Sequence, residues 1–174
     1  MSKFVLIDGH TILNRAFYGV PIFTNSEGLH TNAVFGFMNI MFKIIDSKQP
    51  DYMAVAFDVH QPTFRHEMFK DYKGTRKPMM EELREQVPVI KELLQKMNIT
   101  TVELPGYEAD DVIGTLSKKG EKAGMEVDVI SGDRDLLQLA SDHITICIPK
   151  TKKGQTTVEE YNTEGVRKLY KVTP

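Results

Sequence analysis

Disulfide chemistry is closed to this chain, because its 174 residues include a single cysteine, Cys147. A lone cysteine in an apolar run fits a reducing compartment and the role of inert core. Long hydrophobic runs are equally scarce. The first apolar stretch, residues 4–7, meets Asp8 before it could serve a signal peptide. The longest, residues 33–45, is broken by Asn39 and Lys43, so no membrane span is expected and a cytoplasmic location is. No Cys-x-x-Cys or His-x-x-x-His spacing offers a zinc site. Internal repeats and low-complexity tracts are absent too. Neither sign of charge dominates: the net is −2, which alone argues weakly against a nucleic-acid partner.

What remains is an ordinary globular composition, 41% apolar and 26% charged, enough for one domain or for one domain and the start of a second. Short β-branched runs predict strands over 4–7, 53–57, 100–104, 127–130 and 144–148. Helical patterns lie between them. One follows Thr31-Asn32 with Val34, Phe37, Met38, Met41, Phe42 and Ile45 on one face; its methionines read as core filler. A second covers 81–97, with Pro88 predicting a kink or break. A third covers 107–123, ends at Gly124, and turns Val112, Ile113 and Leu116 inward. Strands alternating with helices predict an α/β fold with a mostly parallel sheet covered on both faces.

Three of these strands run into an aspartate: Asp8, Asp58 and, after Ser131-Gly132, Asp133. The fourth, after Pro105-Gly106, leads to Glu108, Asp110 and Asp111 at a helix start, and Asp135 follows Asp133 by two. In a parallel sheet all carboxyl ends lie on one rim, where ligands bind. Singly, each acid is better explained as a cap or turn former. Together the seven would repel, two charges ~4 Å apart costing about 4 kcal/mol at an effective dielectric near 20. Such a rim calls for raised pKa values or bound cations, and oxygen-only ligands favour Mg²⁺ or Mn²⁺. Glu108 and Asp111, three apart, share a helix face, while Asp110 points a quarter-turn away. Beside these acids in sequence is a basic stretch with Arg65, Lys70, Lys73, Arg76 and Lys77, and with His66 titratable. A hard cation on an acidic rim beside a basic loop suggests a phosphate substrate, with two ions ~4 Å apart serving attacking and leaving oxygens.

The motifs LIDGH, AVAFDVHQPTFRHE, DYKGTRKP, GYEADDVIGTL and SGDRDLLQL stand in the order seen in the 5′ nuclease domain of bacterial DNA polymerase I and its phage and flap-endonuclease relatives, which the chain resembles from Phe4 almost to Pro174. The resemblance implies a PIN-like fold and a divalent-metal-dependent 5′-3′ exonuclease or flap endonuclease acting in replication and repair. It implies two ions, Mg²⁺ or Mn²⁺, held by Asp8, Asp58, Glu108, Asp110, Asp111, Asp133 and Asp135. It implies DNA contacts from Arg15, Arg65, Tyr72, Lys73 and Arg76, with Lys73 and Arg76 joining Asp8, Asp58, Asp111 and Asp133 in catalysis. The substrate implied is DNA with a 5′ flap or a single-strand/duplex junction. On this reading residues 1–174 form the N-terminal nuclease domain of a monomer, with a basic arch over about 64–97. A downstream helix–three-turn–helix and a C-terminal polymerase would lie beyond it. Met80 departs from the proline many relatives carry.

Other residues read more plainly. His60 is two past Asp58, but lone histidines are usually not ligands. His10 fits the strand-to-helix turn. Lys118, Lys119 and Lys122 read as a solvated helix face, phosphate contact being second. The Asp133-Arg134-Asp135 pair resembles that of topoisomerase/primase domains, but that would leave Asp8 and Asp58 without roles. An aspartyl-nucleophile phosphatase would want a second Asp where His10 stands. The remaining alternative is a catalytically incomplete nucleic-acid-binding fragment.

Overall fold

The computed structural model describes the chain except His60, Arg76, Lys77, Lys153 and Gly154; for residues 151, 152 and 155 it describes the backbone alone. In chain order come β1 (Lys3–Asp8), α1 (Gly9–Gly19), α2 (Asn32–Lys48), β2 (Tyr52–Ala56), α3 (Phe64–Met68), α4 (Glu81–Arg84) and α5 (Gln86–Lys96). Then follow β3 (Thr100–Val102), α6 (Ala109–Lys122), β4 (Glu126–Ile130), a 3₁₀ helix (Arg134–Leu139), β5 (Ile144–Lys152), β6 (Gln155–Tyr161) and α7 (Thr163–Tyr170). The strands form one six-stranded sheet in the order β3-β2-β1-β4-β5-β6, parallel except for the antiparallel β6.

Alternation along the strands divides the core. Val5 and Ile7 of β1 face α1, α2 and α5, meeting Leu13, Phe37, Met41, Ile90 and Leu94. Leu6, with Val127 and Val129 of β4, faces α6 and α7, meeting Ile113 and Val166. Cys147 of β5 is fully buried on the first face, its Sγ 3.5 Å from Asp128 Oδ1, and burial drives its thiol pKa well up.

Several elements depart from their expected form. Phe42 is exposed rather than inward, because the buried stripe of α2 runs through Ala33, Phe37, Ile40, Met41 and Ile44. Thr31 gives no side-chain cap to α2. Buried Gln86 does so instead, its Oε1 accepting from the backbone N–H of Ala33 (2.8 Å) and Val34 (3.1 Å). The break in 81–97 falls at Glu85, three residues before Pro88, which sits in the first turn of α5 where its missing N–H matters little. Residues 103 and 104 leave the third strand early. β6 and α7 were not expected, since the polar run 155–161 carries no buried-strand signature.

The strand order reverses between β1 and β4. From β1 the chain moves outward to β2 and β3, then crosses back to β4 on the other side. Such a reversal opens a crevice at the carboxyl ends of the two central strands.

Candidate active site at the carboxyl edge of the sheet

Asp8 ends β1 at this crevice and also begins α1. Its Oδ1 accepts from Thr11 N (3.1 Å) and its Oδ2 from Ser131 Oγ (2.8 Å). Only 3% of Asp8 is exposed, and that burial raises its pKa against the opposing hydrogen bonds. Ser131, at the end of β4 and fully buried, accepts in turn from Asp133 N at 3.0 Å. One hydroxyl thus ties the carboxylate of β1 to the backbone that carries the carboxylate after β4. Gly132 between them has to be small: a Cβ there would come within 2.8 Å of Thr11 Cγ2 and 3.5 Å of the Arg15 guanidinium. Asp133 Oδ1 caps the 3₁₀ helix by accepting from Asp135 N (2.8 Å).

Asp58, beyond β2, accepts from Ala109 N (2.7 Å) at the start of α6. Its own N–H donates to His10 Nδ1 (3.1 Å), so the ring holds the β2 exit in place. Gly9 lets α1 begin hard against Phe57, whose ring a Cβ would overlap at 2.4 Å. Asp110, in the first turn of α6, faces these strand ends. Burial first, then repulsion from Asp8, Asp133 and Asp58, pushes its pKa up to about 7, with Lys73 opposing.

Glu108 and Asp111 behave differently from Asp110, and their shared helix face turns toward α3 and the turn after it. Arg65 donates to both Asp111 oxygens at 2.7 Å, holding that carboxyl below its usual range. Lys73 Nζ donates to Glu108 Oε1 (2.8 Å) and lies 5.3 Å from the Tyr72 ring centre; Tyr72 OH reaches Glu108 Oε2 at 3.3 Å. Lys73 has φ +56°, a left-handed backbone costing ~1–2 kcal/mol for a residue with a Cβ, which the Glu108 pair helps to hold. α4 and α5, the second half of the expected arch, pack into the core through Leu83, Ile90 and Leu94.

The structure therefore gathers Asp8, Asp58, Asp110 and Asp133 at one crevice, with Asp135 exposed on the groove beside them. Arg15 packs on Gly132 just behind. Arg76 and His60 lie outside the described residues. Ser131 went unmarked as a site residue, although a hydroxyl two residues before a strand-end aspartate was the available signal. Among the described residues no three His, Cys, Asp or Glu side chains stand close enough to hold an ion as they are. The four acids are near enough to repel, and an all-oxygen anionic set of this kind suits a hard divalent cation.

Residues 3–171 match the family model described as the 5′-3′ exonuclease, N-terminal resolvase-like domain. The chain belongs to this family. DNA polymerase I of Bacillus caldotenax is 52% identical over 173 residues, which cover 99% of this chain and 20% of the relative. DNA polymerase I of Bacillus subtilis (strain 168) is 51% identical over 173 residues, 99% of this chain and 19% of that protein. The chain thus spans about a fifth of the length of these relatives. In fold it resembles the bacteriophage T5 flap endonuclease solved as a pseudo-enzyme-product complex with DNA and metal ions. The TM-score is 0.73 at 22% identity, covering 98% of this chain and 61% of that one. The architecture is accordingly PIN-like. No helix among the described residues is long and apolar enough to cross a membrane.

Proposed function

We propose that this chain is the nuclease-bearing N-terminal part of a longer, DNA polymerase I-like protein, and that it hydrolyses DNA phosphodiesters at 5′ flaps or single-strand/duplex junctions. The observation that carries the reading is the convergence of Asp8, Asp58, Asp110 and Asp133 at the β1/β4 crevice, with Asp110 pushed up to about 7. Carboxylates arranged to repel at a ligand-binding edge favour a bound cation over an empty site. Asp8, Asp58, Asp110 and Asp133 would hold two divalent cations, Mg²⁺ or Mn²⁺, with Glu108, Asp111 and Asp135 around them. Those cations would supply an activated water and neutralise charge on the leaving oxygen.

The chain's own groups do the rest. Ser131 fixes the Asp8 carboxylate through its hydroxyl. Lys73, released from Glu108 by an entering phosphate, offers a cation to a phosphoryl oxygen as negative charge grows there. Tyr72 presents a ring on which a base stacks without sequence preference. Arg65 keeps α3 fastened to α6, so both stay beside the cut, and Arg15 contacts the backbone from α1.

The test is cleavage of 5′-flapped DNA with Mg²⁺ or Mn²⁺ against EDTA, using this chain and a version continued through the region that follows in its relatives. Metal-dependent release of the flap, lost in Asp8→Asn, is expected, with the longer version faster. A second reading, a nucleic-acid binder that does not cut, draws on the ion pairs that occupy Arg65 and Lys73. Flap binding without cleavage by either version would establish that one instead.

A further inference from the structure

A groove adjoins the acidic crevice, sharing Asp110 with it. It has a volume of about 740 Å³ and continues along α6, past Thr115 to Lys118, Lys119 and Lys122, with the 3₁₀ helix as its opposite wall. Its charge changes sign along its length. Asp110, Asp135 and Tyr72 line one part of it, and the three lysines line the part toward the C-terminal end of α6. Asp111, Thr115, Lys119 and Lys122 follow one another at spacings of three and four, so they make a single stripe down the helix, with Lys118 at its flank. From Asp111 to Lys122 this stripe is about 16 Å long, the reach of a few nucleotides of extended strand. Lys118 is partly engaged, by Glu121 Oε2 and by the Leu139 carbonyl, each at 3.3 Å. Lys119 and Lys122 are exposed, and neither forms an ion pair among those found for the described residues.

Lysines in a last helical turn are favoured by the helix dipole, which explains their presence near that end. The dipole does not explain why they line the same groove as the acids, opposite the 3₁₀ helix. We propose that this basic end of the groove is a binding track for the sugar-phosphate backbone of single-stranded polynucleotide. It would hold the strand that leaves the crevice after passing Tyr72. The combination of a basic channel with an aromatic platform at its mouth is the general design for binding single strands without sequence preference. The inference rests on the nuclease reading only for what the strand is; the track itself rests on the groove and its lysines.

The experiment compares the unaltered chain with Lys119→Ala/Lys122→Ala and with a matched-charge control, Lys3→Ala/Lys96→Ala. Lys3 begins β1 at the opposite edge of the sheet and Lys96 ends α5. Fluorescence anisotropy of a labelled oligothymidylate and of a hairpin duplex is read over a range of salt, and circular dichroism verifies folding. Alanine favours helix at both positions, so the α6 variant is expected to fold. Its affinity for the oligothymidylate should fall by roughly tenfold at low salt. Its log–log salt slope should shrink by about 1.4, two phosphate contacts at about 0.7 each. The control should change little, and duplex binding should change less than single-strand binding. Equal losses in the α6 variant and the control would reduce the effect to net charge and overturn the proposal. An unchanged salt slope, or no single-strand binding by the unaltered chain, would overturn it as well. Flap cleavage is scored separately on the same proteins. Absent cleavage by both this chain and its longer version, with lysine-dependent single-strand binding, would remove the nuclease reading and leave the track standing.

Discussion

Arg65 grips Asp111 with both terminal nitrogens, each 2.7 Å from a carboxylate oxygen. This bidentate pair fastens α3, which has no buried residue of its own, to the first turn of α6. Arg65→Ala should lower stability by about 1 kcal/mol, discounted for partial exposure, and should weaken flapped-DNA binding further. Arg65→Lys should not restore either, because an ammonium cannot make the planar double contact. The pH dependence has a definite sign. Asp111 is depressed by Arg65, so its contribution is present above the ordinary aspartate range and disappears as pH falls through its folded value. Thermal melts of the two proteins that stay separated in strong acid would count against the pairing.

Asp110 has the opposite sign. It titrates at about 7 in the folded chain against 3.8 for an ordinary aspartate. Between those values the folded state keeps a proton that the unfolded state has lost, so stability is lost as pH rises through about 7. In EDTA, the Tm of the unaltered chain should therefore drop relative to Asp110→Asn between about pH 5 and about pH 8, by a few degrees. A Tm gap that does not change with pH would detach Asp110 from the repulsion.

Divalent cations should reverse that loss. Mg²⁺ or Mn²⁺ at 100 times its dissociation constant stabilises a folded protein by about 2.7 kcal/mol. A matching rise in Tm is expected above neutral pH, and Asp8→Asn should abolish most of it. A rise of equal size in Asp8→Asn would place the ion elsewhere.

Ser131 joins Asp8 to the Asp133 backbone, so its removal should act through both. Ser131→Ala is expected to weaken Mg²⁺ binding by about tenfold, the lower end of what losing a hydrogen-bond partner of a ligand does. Ser131→Thr, if its methyl is accommodated, should recover part of it. Isothermal titration with Mg²⁺ would read both, and an unchanged dissociation constant in Ser131→Ala would make the hydroxyl merely structural.

For Lys73 the expectation concerns rate rather than affinity. Because its contact with a phosphoryl oxygen strengthens as charge develops, Lys73→Ala should cut the single-turnover rate by about a hundredfold or more while binding weakens only a few-fold. Equal losses would make Lys73 a plain phosphate clamp.

Much of the site was legible because its signals are local. A strand followed by an aspartate places that carboxylate on the carboxyl edge whatever the rest of the chain does, and Asp8 and Asp58 needed nothing more. Partner choice was not legible in the same way. The spacing of Glu108 and Asp111 showed that they share a face, but not that the face turns to Arg65 and Lys73 and leaves Asp110 to meet the other acids. Gln86 capping α2 across 53 residues has no sequence signature at all. β6 escaped because an edge strand half-covered by α7 needs no regular apolar alternation, and Pro88 misdirected the helix break because a first-turn proline costs a helix almost nothing.

The burial of Cys147 makes the molecule convenient in a different respect. Its thiolate is disfavoured and its sulfur is sealed inside β5, so maleimides or spin-label reagents will find no native target while the fold holds. A cysteine introduced at exposed Lys70, before Tyr72 and Lys73, would be the one reactive thiol in the chain. Paired with a second at Lys96 at the end of α5, it would give distance measurements between the basic turn after α3 and α5 without first rebuilding the core.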